Sequence, residues 1–240
     1  MSGRRAIASA MRALLLAVAL AAGPAAAQVR ADTTDLPPNT EPFEVALVRS
    51  VYGVDAPAVA AVLHAVNDSA YPAYFGAVPV HGLATLAVGG DLDAPLRLAV
   101  AEAGAVGLTV ALKNLIRRPR PYAAIDGIVA RDRRHQGDDV FDPYSFPSGH
   151  TSTAFVLATS LSLSYPEWYV IAPAAAWAAT MGVARVWLGV HYPSDVLVGA
   201  GVGVGAAVAV HVLMPDVFDG EDVGAAAPTP TPAPTSTSDG

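Results

Sequence analysis

From Val196 to Met214 the chain runs for nineteen residues with a single polar side chain, His211. A β-strand is usually about 5–6 residues long. Nineteen residues of α-helix measure about 28 Å, close to the hydrocarbon thickness of a bilayer. The segment is therefore read as one long helix, buried in a bundle or in lipid. Within it Gly199 and Gly203, and Gly201 and Gly205, stand four apart. That small-residue spacing lets two helix backbones approach closely.

The same reading extends over the rest of the core. Helices are expected near 43–52, 56–67, 72–89, 94–117, 150–164, 167–187 and 193–214. Pro57, Pro95, Pro166 and Pro193 stand near expected helix starts, where a missing amide hydrogen costs nothing. No stretch alternates polar and apolar with a period of two, so the expected class is all-α, a bundle of about six core helices. The segment 118–149 is the one long loop. Loops longer than about 12–15 residues in a compact domain are commonly functional.

The ends read differently. Residues 1–27 carry Arg4, Arg5 and Arg12, then an apolar run from Ala13 to Ala22, then Ala25-Ala26-Ala27 before Gln28. This is the pattern of a cleaved export signal, with a retained anchor helix as the alternative. Residues 28–42 are polar and proline-rich, a linker. Residues 43–215 are the expected folded domain, and 216–240 an acidic, then Pro/Thr-rich tail that cannot build a core. Removing 1–27 takes three positive charges from a formal net charge of −7, giving −10. Such a chain, with no long basic run, does not suit nucleic acid. With no cysteine, thiolate metal sites, disulfides and cysteine nucleophiles are excluded.

Charge placement leaves two settings open. Of the eleven Lys and Arg after residue 27, seven lie in 113–147. If that loop faces outward, as an exported site requires, it runs against the positive-inside tendency. A functional demand for cations would override the tendency. The alternatives are a membrane-embedded bundle and an exported globular bundle with an unusually apolar core.

Three polar segments bracket and follow the long loop. The first is Lys113-Asn-Leu-Ile-Arg117-Arg118-Pro119-Arg120-Pro121. The second is Phe146-Pro147-Ser148-Gly149-His150-Thr151-Ser152. The third is Arg185-Val-Trp-Leu-Gly-Val-His191-Tyr-Pro-Ser-Asp195. Singly, each has an ordinary structural role. Cations suit a helix C-terminus, Ser148 suits an N-cap, and His191 with Asp195 suits an i,i+4 hydrogen bond. Together they assemble an anion site. Lys113, Arg120 and Arg185 supply charge around a helix start whose amides at Ser148, Gly149 and His150 are expected to be free. Gly149 lets the backbone come close. Asp195 can fix the tautomer of His191. Two histidines beside a cradle for a tetrahedral anion fit a nucleophile and a general acid for phosphoryl transfer.

These segments resemble the signature of the type-2 phosphatidic acid phosphatase and vanadium haloperoxidase superfamily. That pattern is Lys-x6-Arg-Pro, then Pro-Ser-Gly-His, then Ser-Arg-x5-His-x3-Asp. Here it is met by Lys113 and Arg120-Pro121, by Pro147-Ser148-Gly149-His150, and by Arg185, His191 and Asp195. Ala184 stands where a serine usually precedes the arginine. The likeness spans residues 70–214.

The resemblance implies that His191 attacks phosphorus to form a phosphohistidine, with Asp195 orienting it and His150 protonating the leaving oxygen. Lys113, Arg120, Arg185, Ser148 and Gly149 would hold the phosphoryl oxygens. No metal or other cofactor is implied, and vanadate would act as a phosphate mimic and inhibitor. Arg117 and Arg118 fall outside the matched positions and are expected to be rim charges. The implied partner is a phosphorylated small molecule or a lipid phosphate, hydrolysed as a monoester or diphosphate at the outer face of a membrane or in the periplasm. The helix count puts all three segments on one face. The second enzyme reading is a vanadate-dependent haloperoxidase; the non-enzyme reading is a membrane bundle with a relic phosphate site. No sequence feature marks an oligomeric state.

Overall fold

The computed structural model describes residues 42–136 and 142–214. The expected signal (1–27), nearly all of the linker and the tail (216–240) lie outside the described residues. Eight α-helices follow in order among them: α1 Phe43–Tyr52, α2 Pro57–Asp68, α3 Ala70–Ala87, α4 Asp93–Ile116, the short α5 Pro121–Ala124, α6 Gly149–Ser164, α7 Trp168–Trp187 and α8 Pro193–Leu213. A 3-10 turn spans Arg133–His135. No β-strand occurs among the described residues; Pro119 and Tyr144 form an isolated antiparallel bridge.

Local chemistry explains most boundaries. Pro57, Pro121 and Pro193 occupy the first helical positions of α2, α5 and α8. Ser148 caps α6, its side chain accepting from the Thr151 amide. Pro166 departs from expectation: it precedes the Glu167 cap of α7 rather than opening the helix. Pro79 and Pro173 lie inside α3 and α7.

Helix α6 is central, packed against α4, α7 and α8. Leu98, Ala101 and Ala105 of α4 meet Val156 and Leu157 of α6 and Val198 and Val202 of α8, with Phe146 closing the cluster. A second cluster joins Val48 of α1 to Ile125, Ile128, Val186 and Tyr192 beneath the long loop. The glycine spacing of α8 is used on one face. A Cβ on Gly199 would stand 2.5 Å from the Ser148 carbonyl oxygen. One on Gly203 would overlap the Ser152 carbonyl oxygen and stand 2.9 Å from the Phe155 Cβ. Gly201 faces open space. Gly203→Ala is therefore expected to destabilise the bundle by about 1–3 kcal/mol, because backbone cannot swing aside. Thermal unfolding in detergent measures this, with Gly201→Ala expected to hold the wild-type midpoint.

Among the described residues three helices are long and apolar enough to cross a membrane: α4, α7 and α8. At about 1.5 Å per residue they measure roughly 30–36 Å. Their outward faces are apolar too: Val106 and Val110 on α4, and Leu197, Val208 and Val212 on α8, are exposed. Trp168 and Tyr169 are exposed at the start of α7, the end of the bundle away from Arg185.

Candidate active site

All three polar segments meet at one end of the bundle. Lys113 comes from the last turn of α4. Arg120 caps α5, and Ser148, Gly149 and His150 open α6. Arg185 lies in the last turn of α7, His191 in the following link, and Asp195 in the first turn of α8. The two ends of the link are tied together: His191 N–H donates to the Arg185 carbonyl at 3.2 Å.

His191 is 1% exposed. Its Nε2 lies 3.1 Å from Arg120 Nη1. A guanidinium only donates, so Nε2 presents a lone pair and the ring proton sits on Nδ1. Nδ1 in turn faces Asp195 Oδ2 at 3.5 Å, an approach that is electrostatic rather than a formed hydrogen bond. Burial, then the charges of Arg120, Lys113 and Arg185 and the neighbouring His150, push the His191 pKa well below the ordinary histidine value. The imidazole is neutral at pH 7, with Nε2 turned toward the cations.

Asp195 is fully buried and makes further bonds. Its Oδ2 accepts from the Tyr192 amide at 2.8 Å, which closes the start of α8. Its Oδ1 accepts from Arg118 Nη1 at 2.8 Å. This corrects the expectation for Arg118. It is 3% exposed, not a rim charge, and it also donates to Ser194 Oγ and Glu44 Oε2. Its guanidinium stacks 3.8 Å over the Tyr192 ring. Arg117 is exposed, as expected, in the left-handed conformation that ends α4.

Arg185 is fully buried. Its Nη1 is held by Asp132 Oδ2 at 2.7 Å and by the Asn67 side-chain oxygen. Burial alone would raise the Asp132 pKa, but the facing His135 and Arg185 outweigh it and hold the carboxyl well below the usual range. Asp132 is thus a fixed anion that aims the guanidinium. The remaining Arg185 Nε and Nη2 are buried without a hydrogen-bond partner among the described residues, as is His150 Nε2. The His150 ring is walled by Tyr71 and Tyr74, and Tyr74 Oη donates to the His150 carbonyl at 2.7 Å.

Lys113 and Arg120 share an anion already. Asp142 Oδ2 lies 3.1 Å from Lys113 Nζ and 3.0 Å from Arg120 Nη2. Lys113 Nζ also donates to the Tyr144 carbonyl, and Arg120 Nε to the Asp142 carbonyl. The pair therefore accommodates an oxyanion between them, here a carboxylate.

The start of α6 differs in part from expectation. The Ser148 amide is not free; it donates to the Asp195 carbonyl at 2.9 Å. The Gly149 and His150 amides carry no hydrogen bond among the described residues. Ser148 Oγ is buried, accepting from the Thr151 hydroxyl at 2.9 Å, which leaves its own proton to donate. A Cβ on Gly149 would meet Thr109 at only 3.7 Å, so helix packing does not demand glycine there. Five residues that the motifs did not mark also belong to the cluster: Glu44, Asn67, Asp132, His135 and Asp142. Among the described residues no group of three or more His, Asp or Glu is placed to hold a metal ion.

Comparison with known proteins bears on the family and the fold. Residues 94–219, just over half of the chain, match the family model of the PAP2 superfamily. A lipid A 1-phosphatase of Rhizobium johnstonii is 37% identical over 89 residues, covering 37% of this chain and 34% of that protein. A decaprenylphosphoryl-5-phosphoribose phosphatase of Mycobacterium tuberculosis is 37% identical over 109 residues, 43% of this chain and 53% of that one. The chain thus spans about a third to a half of the length of these curated relatives. Among solved structures, the PAP2-type phosphatidylglycerolphosphate phosphatase of Bacillus subtilis superposes with a TM-score of 0.65 at 22% identity, covering 85% of this chain and 96% of that one. LpxE of Aquifex aeolicus superposes with a TM-score of 0.58 at 22% identity, covering 73% and 98%.

Proposed function

The chain belongs to the PAP2 superfamily, and from that premise we propose that it is an exported, metal-independent phosphatase that cleaves lipid-linked phosphate monoesters or diphosphates through a phosphohistidine. The observation that carries this reading is the set of buried, unpartnered atoms Arg185 Nε and Nη2 and His150 Nε2, on side chains near enough to act electrostatically on His191. Buried polar groups without partners are rare, and those of His150, Arg185 and His191 fall on side chains a phosphoryl group would need; others, on His81 and Asp93 for example, lie away from this site.

The chemistry follows from the geometry. His191 Nε2 attacks phosphorus, a P–N bond forms and the P–O bond to the leaving group breaks. His150, charged once the phosphate's negative charge offsets the burial and the neighbouring Arg185 that otherwise hold it neutral, gives its proton to the departing oxygen. Lys113, Arg120, Arg185, Ser148 and the Gly149 amide take the three remaining phosphoryl oxygens, displacing the Asp142 carboxylate. As negative charge leaves Nε2, the Nδ1 proton is held by Asp195. Water then attacks the phosphohistidine, His150 accepts its proton, the P–N bond breaks and inorganic phosphate departs. Fixed cations meet the charge on the phosphoryl group throughout, which is the largest single contribution in such transfers.

Several features support a lipid substrate and a membrane setting. The relatives are named for lipid A and for a decaprenyl-linked phosphate. The site sits at the end of helices whose outward faces are apolar. The cluster of cations in 113–147 need not direct that end inward. Lys113, Arg118 and Arg120 are held in ion pairs, and Arg131 and Arg134 lie over aromatic rings. With residues 1–27 as an export signal, 28–42 as a linker, 43–215 as the catalytic domain and 216–240 as a tail, the site faces the periplasm.

The test is phosphate release by detergent-solubilised protein in the presence of EDTA, from a panel of lipid phosphates and a soluble aryl phosphate. EDTA-insensitive release, fastest from a lipid and inhibited by vanadate, is the expected result. Release abolished by EDTA overturns the metal-independent mechanism, and release from the aryl phosphate alone overturns the lipid assignment.

A further inference from the structure

We propose that Glu44, on α1, is a positioning residue for this reaction: through Arg118 it sets how strongly Asp195 acts on His191. The inference rests on His191 being the nucleophile, as proposed above. It adds an element that lies well before the family-matched segment, 94–219.

Two short ion pairs and one longer approach of 3.5 Å connect Glu44 to His191. Glu44 Oε2 pairs with Arg118 Nη2 at 2.7 Å, and Arg118 Nη1 pairs with Asp195 Oδ1 at 2.8 Å. The other oxygen of Asp195 faces His191 Nδ1. Glu44 Oε1 accepts from the Ser194 amide at 3.0 Å and from the Ser194 hydroxyl, so it also grips the first turn of α8. Helix α1 is anchored there by Val48, which is fully buried against Val186 and Tyr192.

Two anions therefore flank one cation. With Glu44 charged, Arg118 is shared, and Asp195 keeps much of its negative potential for the His191 Nδ1 proton. Without that charge, Arg118 belongs to Asp195 alone and the potential at His191 falls. The imidazole then becomes a weaker base and a weaker nucleophile. The groups facing His191 from every packed element are Lys113 of α4, Arg120 of the loop, His150 of α6, Arg185 of α7 and Asp195 of α8. Asp195 is the anion on the Nδ1 side; Asp142, bridging Lys113 and Arg120, is the anion near the Nε2 side and is displaced when a phosphoryl group binds. An ordinary helix-capping role for Glu44 would need Ser194 and not Arg118.

Glu44→Gln keeps the shape and an acceptor for Ser194 but removes the charge. Its kcat is expected to fall about tenfold while KM stays within about twofold. The acid limb of its kcat–pH profile is expected to move down by about one unit, because a weaker base loses its proton at lower pH. Glu44→Asp keeps the charge and is expected to retain the wild-type limb. Thermal unfolding in detergent reports the folded fraction of each variant. A Glu44→Gln profile with the wild-type limb overturns the proposal, whether kcat falls or not. So does a loss of activity that matches a loss of folded protein in both variants. Failure of the underlying reading is seen separately: His191→Gln protein that releases phosphate within about tenfold of wild type removes His191 as nucleophile, whatever Glu44 does.

Discussion

His191→Gln is expected to lower kcat on the order of 10⁴-fold, with no phosphoenzyme trapped. Glutamine approximates the volume of the imidazole and offers no lone pair of comparable basicity at the Nε2 position. The cation cradle of Lys113, Arg120 and Arg185 would remain, so substrate binding should persist while the P–N bond cannot form. Rapid acid quenching is the wrong assay, since phosphohistidine is acid-labile; quenching in base and probing for a base-stable phosphoenzyme is the right one. Release within about tenfold of wild type would remove His191 from the mechanism. The pH dependence carries the same assignment. Because burial and the surrounding cations depress its pKa, His191 stays neutral below the ordinary histidine value of about 6.5. Activity set by that base is therefore expected to persist below this pH and to fall only as His191 gains a proton.

His150→Ala should give a different signature, since His150 is asked to act twice. As general acid it serves the first step, at a cost of about 10²–10⁴-fold when removed. An alkyl phosphate, with a poor leaving group, should lose that full factor. An aryl phosphate needs little help in leaving, so its first step should survive. Its second step still needs a base for water. The phosphoenzyme is therefore expected to accumulate in His150→Ala with the aryl substrate and not with the alkyl one. Equal losses on both substrates with no accumulation would reassign His150 to structure. Its packing against Tyr71 and Tyr74 makes thermal unfolding of the variant a necessary companion measurement.

The helices and the motif residues were legible for local reasons. A nineteen-residue apolar run, prolines at helix starts and the Ser148 cap act within a turn or two of chain. The seven expected helices match α1–α4 and α6–α8 to within one or two residues. His191 and Asp195 are four apart, so their meeting at the start of α8 is close to a consequence of helix geometry. What was not legible is the second layer. Arg118 was expected at the rim because a cation in a basic cluster at a helix end usually meets water. It is buried because Glu44 and Asp195 reach it from α1 and α8. Asp132 and Asp142 look like solvated loop acids, yet each neutralises a buried cation of the site. No spacing rule connects such partners: Glu44 and Ser194 are separated by 150 residues, and Asn67 and Arg185 by 118.

The sequence by itself determined the all-α class, the helix limits and the identities of the side chains that converge on one end of the bundle. Those properties follow from side-chain periodicity, backbone caps and short-range order along the chain. The tertiary structure alone decided which cations are paired and which are left for a ligand. It also decided which nitrogen of His191 faces outward and which glycine face of α8 meets α6. These are matters of burial. A charge taken out of water must find a partner, and the partner is whichever group the packed helices bring within about 3 Å.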